Sequence, residues 1–556
     1  MPDAMSELRY FDCNARYGPR PKKHPAERWT KEHLLEDMDL AGVAGALVLH
    51  EQALLYDAMH ANLRLTDEIR DDRGRLSPCW VAFPPCCGEF PEPRDLLRAM
   101  RDHDVRAVRI APALFHIPLA EDIWTPLRNL LADERILIQI SAPEFAKSFQ
   151  ALSDFLTLFA PCNVLLVDAY WSEWRDVLYL MERHKNLHVE FSSFQAMRAV
   201  EYFAGRFGAE RCLFGTNLPY KSPGAARAAV DWTFLPREDA EGIAGGNLAR
   251  LLGRPIPEPP APGPWSDTIT DAVRRGQPLP CLTLDAHCHL LHDGSHTAGV
   301  NFIQRQGDAA GMAEVAVRIG VRRTAVMSWT ATICMDAPLG NRIVADAVRR
   351  FPDRYTGVVS VNPETQSADE IRDTIRTYHE ELGFPGLEPF PSKQLTGFDD
   401  PAYAPWFEYA DCNGLYVLMD WDWFAPRLGA EAVIEKYRGA TFLAAHAGRS
   451  FTHADHVIAL MRRHPHVFAE VDFTSAPNGL IEYFVRHVGA DRVLFGTDAP
   501  MRDPRQQAGW VAFTRLPEPD KRKILGLNFN GLLRRAWSGR RNLHFEVGSP
   551  GTAPRS

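Results

Sequence analysis

"GAERCLFGTNLPYKSP", Gly208 to Pro223, returns later in the chain as "GADRVLFGTDAPMRDP", Gly489 to Pro504. Further along each copy, "IAGGNLARLL" (Ile243 to Leu252) is answered in the same register by "ILGLNFNGLL" (Ile524 to Leu533). Two matches in one register mark an internal duplication, which sets the unit of folding. Carried backwards, the register pairs "NLHVEFSSF" with "HVFAEVDFTS", "NVLLVDAY" with "TFLAAHAG", "RILIQI" with "LYVLMD", and "VRAVRIAP" with "PGLEPFPS". Earlier still it pairs "CWVAFPP" with "GVVSVNP", "AGALVLH" with "RTAVMSW", and "YFDCNAR" with "TLDAHCH". Each half therefore holds eight short apolar strands.

Between them lie stretches such as "WTKEHLLEDMDLAG" and "DEIRDTIRTYHEELG", whose apolar residues recur every three to four positions, as on one face of a helix. Strand and helix alternating in this way predict an α/β chain of two tandem (β/α)8 TIM-type barrels. The competing doubly wound sheet would carry a Gly-rich phosphate turn after its first strand, and none is present. The expected domains are a first barrel over 1–253, a Pro-rich linker over 254–280, a second barrel over 281–540 and a tail over 541–556. The prolines of "RPIPEPPAPGPWSD" disfavour both helix and sheet and suit a spacer.

Composition narrows the function classes. The 556 residues are 46% hydrophobic and 24% charged, the make-up of a globular protein. The net charge of −9 is spread along the chain without a Lys/Arg-rich stretch, which argues against nucleic-acid binding. The start lacks a basic, then apolar, leader pattern and no apolar run reaches membrane-spanning length, so no membrane association and a cytoplasmic location are expected. The ten cysteines show no metal-ribbon or disulfide-scaffold spacing and are expected to be reduced, mostly buried packing residues.

Chemistry in such a barrel sits at the C-terminal strand ends. In the second half these ends carry His287 and His289 on the first strand, Glu388 on the fourth, Asp420 on the fifth, His446 on the sixth and Asp498 on the eighth. In His287-x-His289, a period of two sends both imidazoles off the same face, within reach of one ion. Asp498 lies beside the first strand once the barrel closes. Glu388 is costly in an inward layer unless it is bound to metal or paired. Arg449, in "AHAGRS", could fork onto a substrate carboxylate or sit in a surface ion pair. Trp421 and Trp423, with Phe424, could wall a substrate pocket or pack as a cluster. Asp420 reads either as a ligand or as a cap for its loop. Cys288, between the histidines, points away from their face, and His453 and His456 on the following helix read as solvated.

"LDAHCHL", "FLAAHAG", "VLFGTDAP" and "ILGLNFNGLL" together resemble the amidohydrolase superfamily, in its amidohydrolase-2 branch, over nearly all of the C-terminal half and more weakly over the N-terminal half. The resemblance implies metal ligation by His287, His289, Glu388 and Asp498, with zinc as the divalent ion and manganese as the alternative. It implies that Asp498 also takes the proton of the attacking water, and that His446 binds a second ion or steadies the developing oxyanion. The implied activity is a metal-dependent hydrolase using metal-activated water on an amide, lactone or related carbonyl-type bond of a small molecule. The branch also resembles nonoxidative decarboxylases of aromatic or unsaturated acids, which rely on a strand-five histidine where this chain has Asp420. A third alternative is a catalytically inactive paired-barrel scaffold.

Aligned to the ligands, the N-terminal half reads Asn14 for His287, Arg16 for His289, Arg109 for Glu388, Asp168 for His446 and Asn217 for Asp498. Guanidinium groups in place of imidazoles repel a cation, so this degenerate barrel is expected to be metal-free. It is expected to support the C-terminal barrel through intramolecular pairing, with further oligomerisation left open, and to offer an anion site at Arg16 and Arg109.

Overall fold

The computed structural model describes residues 7–145, 148–261, 263–297, 303–390, 396–420 and 429–538. The chain divides into two compact units, Met1–Gly276 with Pro477–Gly479, and Gln277–Ala476 with Leu480–Ser556. Each contains one sheet of eight parallel strands in sequential order, alternating with helices, so the chain is two tandem (β/α)8 barrels.

The first barrel comprises β1 (Tyr10–Tyr17), β2 (Val43–His50), β3 (Leu76–Val81), β4 (Ala107–Arg109), β5 (Leu137–Ser141), β6 (Val164–Val167), β7 (Leu187–Glu190) and β8 (Cys212–Leu213). It closes through backbone bonds from Cys13 N to Phe214 O and from Arg16 N to Leu218 O, both 2.9 Å. Its core gathers Phe11, Cys13, Leu47, Leu137, Leu165 and Leu213, with Leu248 and Leu252 from the last helix of the repeat.

The second barrel comprises β9 (Thr283–Leu290), β10 (Val321–Ser328), β11 (Tyr355–Val359), β12 (Gly386–Leu387), β13 (Tyr416–Met419), β14 (Thr441–Ala444), β15 (Val467–Val471) and β16 (Val493–Phe495). It closes from Asp498 N to His287 O at 2.8 Å and from His289 N to Ala499 O at 2.7 Å. Leu284, Ala286, Met327, Leu418, Leu443 and Leu494 form the core, again with two residues of the final helix, Phe529 and Leu533.

One backbone irregularity decides where the polar residues go. The pairing of β9 with β10 shifts register between Asp285 and Cys288, and the pairing of β1 with β2 shifts between Asp12 and Ala15. A bulge exchanges the faces of a strand. Thus Leu284 and Ala286 enter the core while the odd-numbered His287 and His289 turn into the mouth, and in the first barrel Phe11 and Cys13 give way to Asn14 and Arg16. A buried aspartate pins each bulge. Asp285 accepts the amide of His287 at 3.1 Å and the hydroxyl of Thr497 at 2.7 Å, while Asp12 accepts the amide of Asn14 at 2.8 Å and the hydroxyl of Thr216.

The segment expected to be linker holds a helix, Thr268–Arg274, capped by Asp267 and tied to the first unit by Arg274, whose guanidinium donates to Leu40 O at 3.0 Å. The tail expected over 541–556 lies outside the described residues. All ten cysteines are free thiols, but burial is less general than expected: five are buried, and Cys86, Cys87, Cys334 and Cys412 are exposed. Among the described residues no helix is long and apolar enough to cross a membrane.

Candidate metal centre

The mouth of the second barrel brings together three of the four expected ligands. His287 Nε2 lies 3.2 Å from His289 Nε2, and Asp498 Oδ1 lies 3.1 Å from the latter and 3.7 Å from the former. All three side chains are buried. Ligands at about 2.0 to 2.1 Å from a tetrahedral ion stand roughly 3.3 Å apart, so this spacing suits one. Burial, the largest effect, holds His287 down to about 3 and His289 well below the usual imidazole range, leaving both rings neutral with lone pairs to donate.

The rings are oriented from behind. Nδ1 of His287 faces Glu470 Oε2 at 3.1 Å and Asp472 Oδ2 at 3.3 Å, so Nδ1 carries the ring proton and Nε2 presents its lone pair forward. Two nitrogens and a carboxylate oxygen then converge on one point. A proton on His289 Nε2 can satisfy only one of the other two, whereas a divalent cation satisfies all three. The donor set therefore fits the ion that the resemblance implies. His289 stacks on Trp329 with ring centroids 4.4 Å apart, and its Nδ1 has no hydrogen-bond partner. Asp498 is also paired with Arg502.

Asp472 reaches a second imidazole, since His446 Nδ1 donates to its Oδ1 at 2.5 Å. Burial would raise the Asp472 carboxyl, but His446, His287 and Arg502 outweigh it and hold the group below the ordinary carboxylate range. Its neighbour Glu470 is pushed well up by burial and then by Asp472 itself, so the pair carries one charge between two carboxyls. His446 Nε2 stands 3.5 Å from Asp420 Oδ1, and its ring centroid is 5.0 Å from that of His287. His287, His446, Glu470 and Asp472 thus form a second group with ligand-type atoms close enough to share an ion.

Glu388, directly after β12, is buried with one carboxyl oxygen lacking a hydrogen-bond partner; burial, then Asp420, pushes its carboxyl well up. Among the described residues it belongs to neither of these ligand groups. Arg449 is half-buried with its guanidinium 4.5 Å from the centre of the Phe473 ring, which Arg502 approaches at the same distance. Trp421 and Trp423, with Phe424, lie outside the described residues. His453, expected to be solvated, is instead 2% exposed, because the helix Phe451–Arg463 turns that position onto the barrel. Sequence reasoning passed over Glu470 and Asp472 as ordinary members of an apolar strand. The available signal was the E-x-D spacing, which puts both carboxyls on one face of β15.

In the first barrel the polarity is reversed. Asp168, opposite His446, takes the centre of the mouth and accepts from Asn14 at 3.0 Å, Arg16 at 3.0 Å, Ser141 at 2.8 Å and Asn217 at 2.8 Å. Burial would raise this carboxyl, but Arg16 and Arg109 outweigh it and hold it down to about 2. Arg109 forks onto Glu144 with two bonds of 2.9 Å. Both arginines expected to receive an outside anion are therefore already engaged by carboxylates of this chain.

The family model described as amidohydrolase matches residues 33–254 and again 284–533. No curated protein matches the sequence. Similar solved structures include an uncharacterized TIM-barrel protein from Bordetella bronchiseptica, 19% identical, with a TM-score of 0.38 over 46% of this chain and 99% of that one. A 2,6-dihydroxybenzoate decarboxylase from Rhizobium is 14% identical, with a TM-score of 0.36 over 46% of this chain and 99% of its own. A probable 2-pyrone-4,6-dicarboxylic acid hydrolase from Acinetobacter baumannii is 13% identical, with a TM-score of 0.35 over 45% and 98%.

Proposed function

Since the chain belongs to the amidohydrolase family across both of its halves, we propose that its C-terminal barrel is a metal-dependent hydrolase acting on an amide, lactone or related carbonyl-type bond of a small molecule. The observation that carries this proposal is the convergence of His287 Nε2, His289 Nε2 and Asp498 Oδ1 on one point, with Asp472 and Glu470 fixing the first ring from behind. These three residues hold the ion, zinc with manganese as the alternative. Glu388 and Asp420 face the same mouth as further carboxylates. A divalent ion there supplies Lewis-acid polarisation of the carbonyl and acidifies water at neutral pH.

The chain's own groups then divide the proton work. Asp498 accepts the proton of the attacking water, while Arg502 pairs with the same carboxyl and fixes its orientation. His446, its Nδ1 bonded to Asp472, keeps a fixed ring plane beside the place where the oxyanion develops. Arg449 and the aromatic residues Trp421 and Trp423 bind the rest of the substrate. The N-terminal barrel, with Asp168 in place of an ion, takes no part in the chemistry.

The test is metal content and hydrolysis of amide and lactone panels by wild type and by His287→Ala/His289→Ala. The double variant should lose the ion and at least about a thousandfold in rate, the scale on which one electrostatic stabiliser acts. Full activity without metal would overturn the proposal. Carbon dioxide release from hydroxybenzoates that depends on the same two histidines would replace hydrolysis by decarboxylation.

A further inference from the structure

Two adjacent thiols stand outside the chemistry described so far. Cys86 and Cys87 follow β3 in the loop "FPPCCGEF", where the second copy reads "VNPETQSA" and places Glu364 and Thr365 at the matched positions. Both cysteines are exposed. The other cysteines of the first barrel are buried, and burial, the largest effect, pushes the Cys79 thiol up to about 12 and that of Cys162 up to about 11. Exposure therefore makes this pair the accessible thiols of that barrel.

The local backbone lets the two side chains act together. Neighbouring side chains of a strand leave opposite faces, but this segment is a turn: Gly88 N donates to Pro85 O at 3.2 Å, which makes Cys86 and Cys87 its central residues. Cys86 N donates to Pro84 O at 2.8 Å, and Glu89 accepts the Cys87 amide at 2.6 Å, so the turn is tied on both sides. Cys86 also lines a cavity of about 320 Å3 walled by Pro85, Pro93, Ile123, Pro126 and Leu127. Thiols beside an apolar hollow suit a soft centre that carries an apolar group.

Ligand supply identifies the centre. A structural zinc ion asks for a closed tetrahedral set of protein ligands, and among the described residues no group of three ligand-type side chains able to hold an ion includes either thiol. Trivalent arsenic takes a pair of thiolates and keeps an organic substituent of its own. We propose that Cys86 and Cys87 bind a trivalent organoarsenical bearing a small apolar group, with arsenic bridging the sulfurs and the group seated in the cavity. When an arsine oxide binds, a pair of As–S bonds replaces its As=O bond, both thiol protons leave with the oxygen as water, and arsenic stays trivalent. The site lies in the first barrel and does not depend on the hydrolase proposal.

The probe is phenylarsine oxide, added to the reduced full chain and read by intact mass and by loss of titratable thiols. A single adduct that consumes a pair of thiols is expected, displaced by free ethanedithiol. Cys86→Ser and Cys87→Ser should each weaken it by on the order of a hundredfold or more, because the second As–S bond is then no longer intramolecular. Cys334→Ser and Cys412→Ser should leave it unchanged. Measured against the same free dithiol, the phenyl compound should bind about tenfold more tightly than its methyl analogue, and Ile123→Gln should remove that preference while leaving the methyl compound as it was. No adduct, an adduct that survives either serine substitution at 86 or 87, or equal binding of the phenyl and methyl compounds would overturn the proposal.

Discussion

The two barrel mouths share a frame and differ in what the frame holds. Glu190 and Glu470 occupy the same place at the end of strand seven, and each accepts the amide of the matched strand-six residue, Asp168 N at 2.9 Å and His446 N at 3.2 Å. Gly215 and Gly496 let each glutamate approach the backbone, since a Cβ at either would come within 2.6 Å of a carboxylate oxygen. Asp12 and Asp285 pin the bulges with Thr216 and Thr497. What changes is the inner layer. A cluster of ligand-type nitrogens and carboxylate oxygens in one copy becomes, in the other, a carboxylate surrounded by donors. The difference teaches that residues common to both copies hold the scaffold, while those that change together set the charge of the mouth.

That division can be tested. Asp168→Ala should have the largest effect, because it removes the nearest carboxylate of both Arg16 and the neighbouring amides at a site where that carboxylate is only 13% exposed, leaving Arg16 with Glu51 at 3.9 Å. Breaking such a pair costs about 3 to 5 kcal/mol, readable by urea unfolding of the full chain, and metal content should be unchanged. If metal binding in the second barrel falls as well, the two inner layers are not independent.

Asp12 sharpens the scaffold side. Burial raises its carboxyl to about 6, above the unfolded value of about 3.9. The folded state therefore holds the proton more tightly, so this group's stability contribution is complete below about pH 4 and lost as pH rises through about 6, a change of roughly 2 to 3 kcal/mol. Unfolding at pH 4.5 and 7.5 should show a slope to which Asp231 and Glu190, also raised by burial, contribute, and Asp12→Asn should reduce it by the Asp12 share. An unchanged slope would mean that Thr216 and the Asn14 amide stabilise the ionised form instead.

The smallest effect probes the chemistry side. Asp472→Asn weakens the orientation of His287 and His446 and should lower metal affinity by about 10- to 100-fold, measured by chelator competition. The matched Ser192→Asp in the first barrel should bring no metal at all.

Much of this was legible in the sequence because duplication makes strands and their order visible twice. His287, His289, His446 and Asp498, read from the strand ends, lie near one another in the second barrel, since parallel strands of a closed barrel deliver their ends to one mouth. The bulges were not legible: a one-residue change of face leaves no mark on the apolar pattern of "TLDAHCHL", and it shows only when the strand is paired. Asp472 was missed because it was read for hydrophobicity and not compared with its copy, although its exchange for Ser192 keeps step with the exchange of the ligands.

The backbone at the strand ends carries a further lesson. His446 and Asp498 sit at φ of 55° and 48°, in the left-handed region, and so do their counterparts Asp168 and Asn217, both at 58°. Non-glycine residues hold that conformation at a cost of about 1 kcal/mol or more, which the two barrels bear alike. Peptide orientation is thus inherited separately from side-chain identity. A loop can lose its trade and keep its posture, and the first barrel stands as a mould whose imprint would receive imidazole and carboxylate groups at 14, 16 and 217 without any redrawing of the main chain.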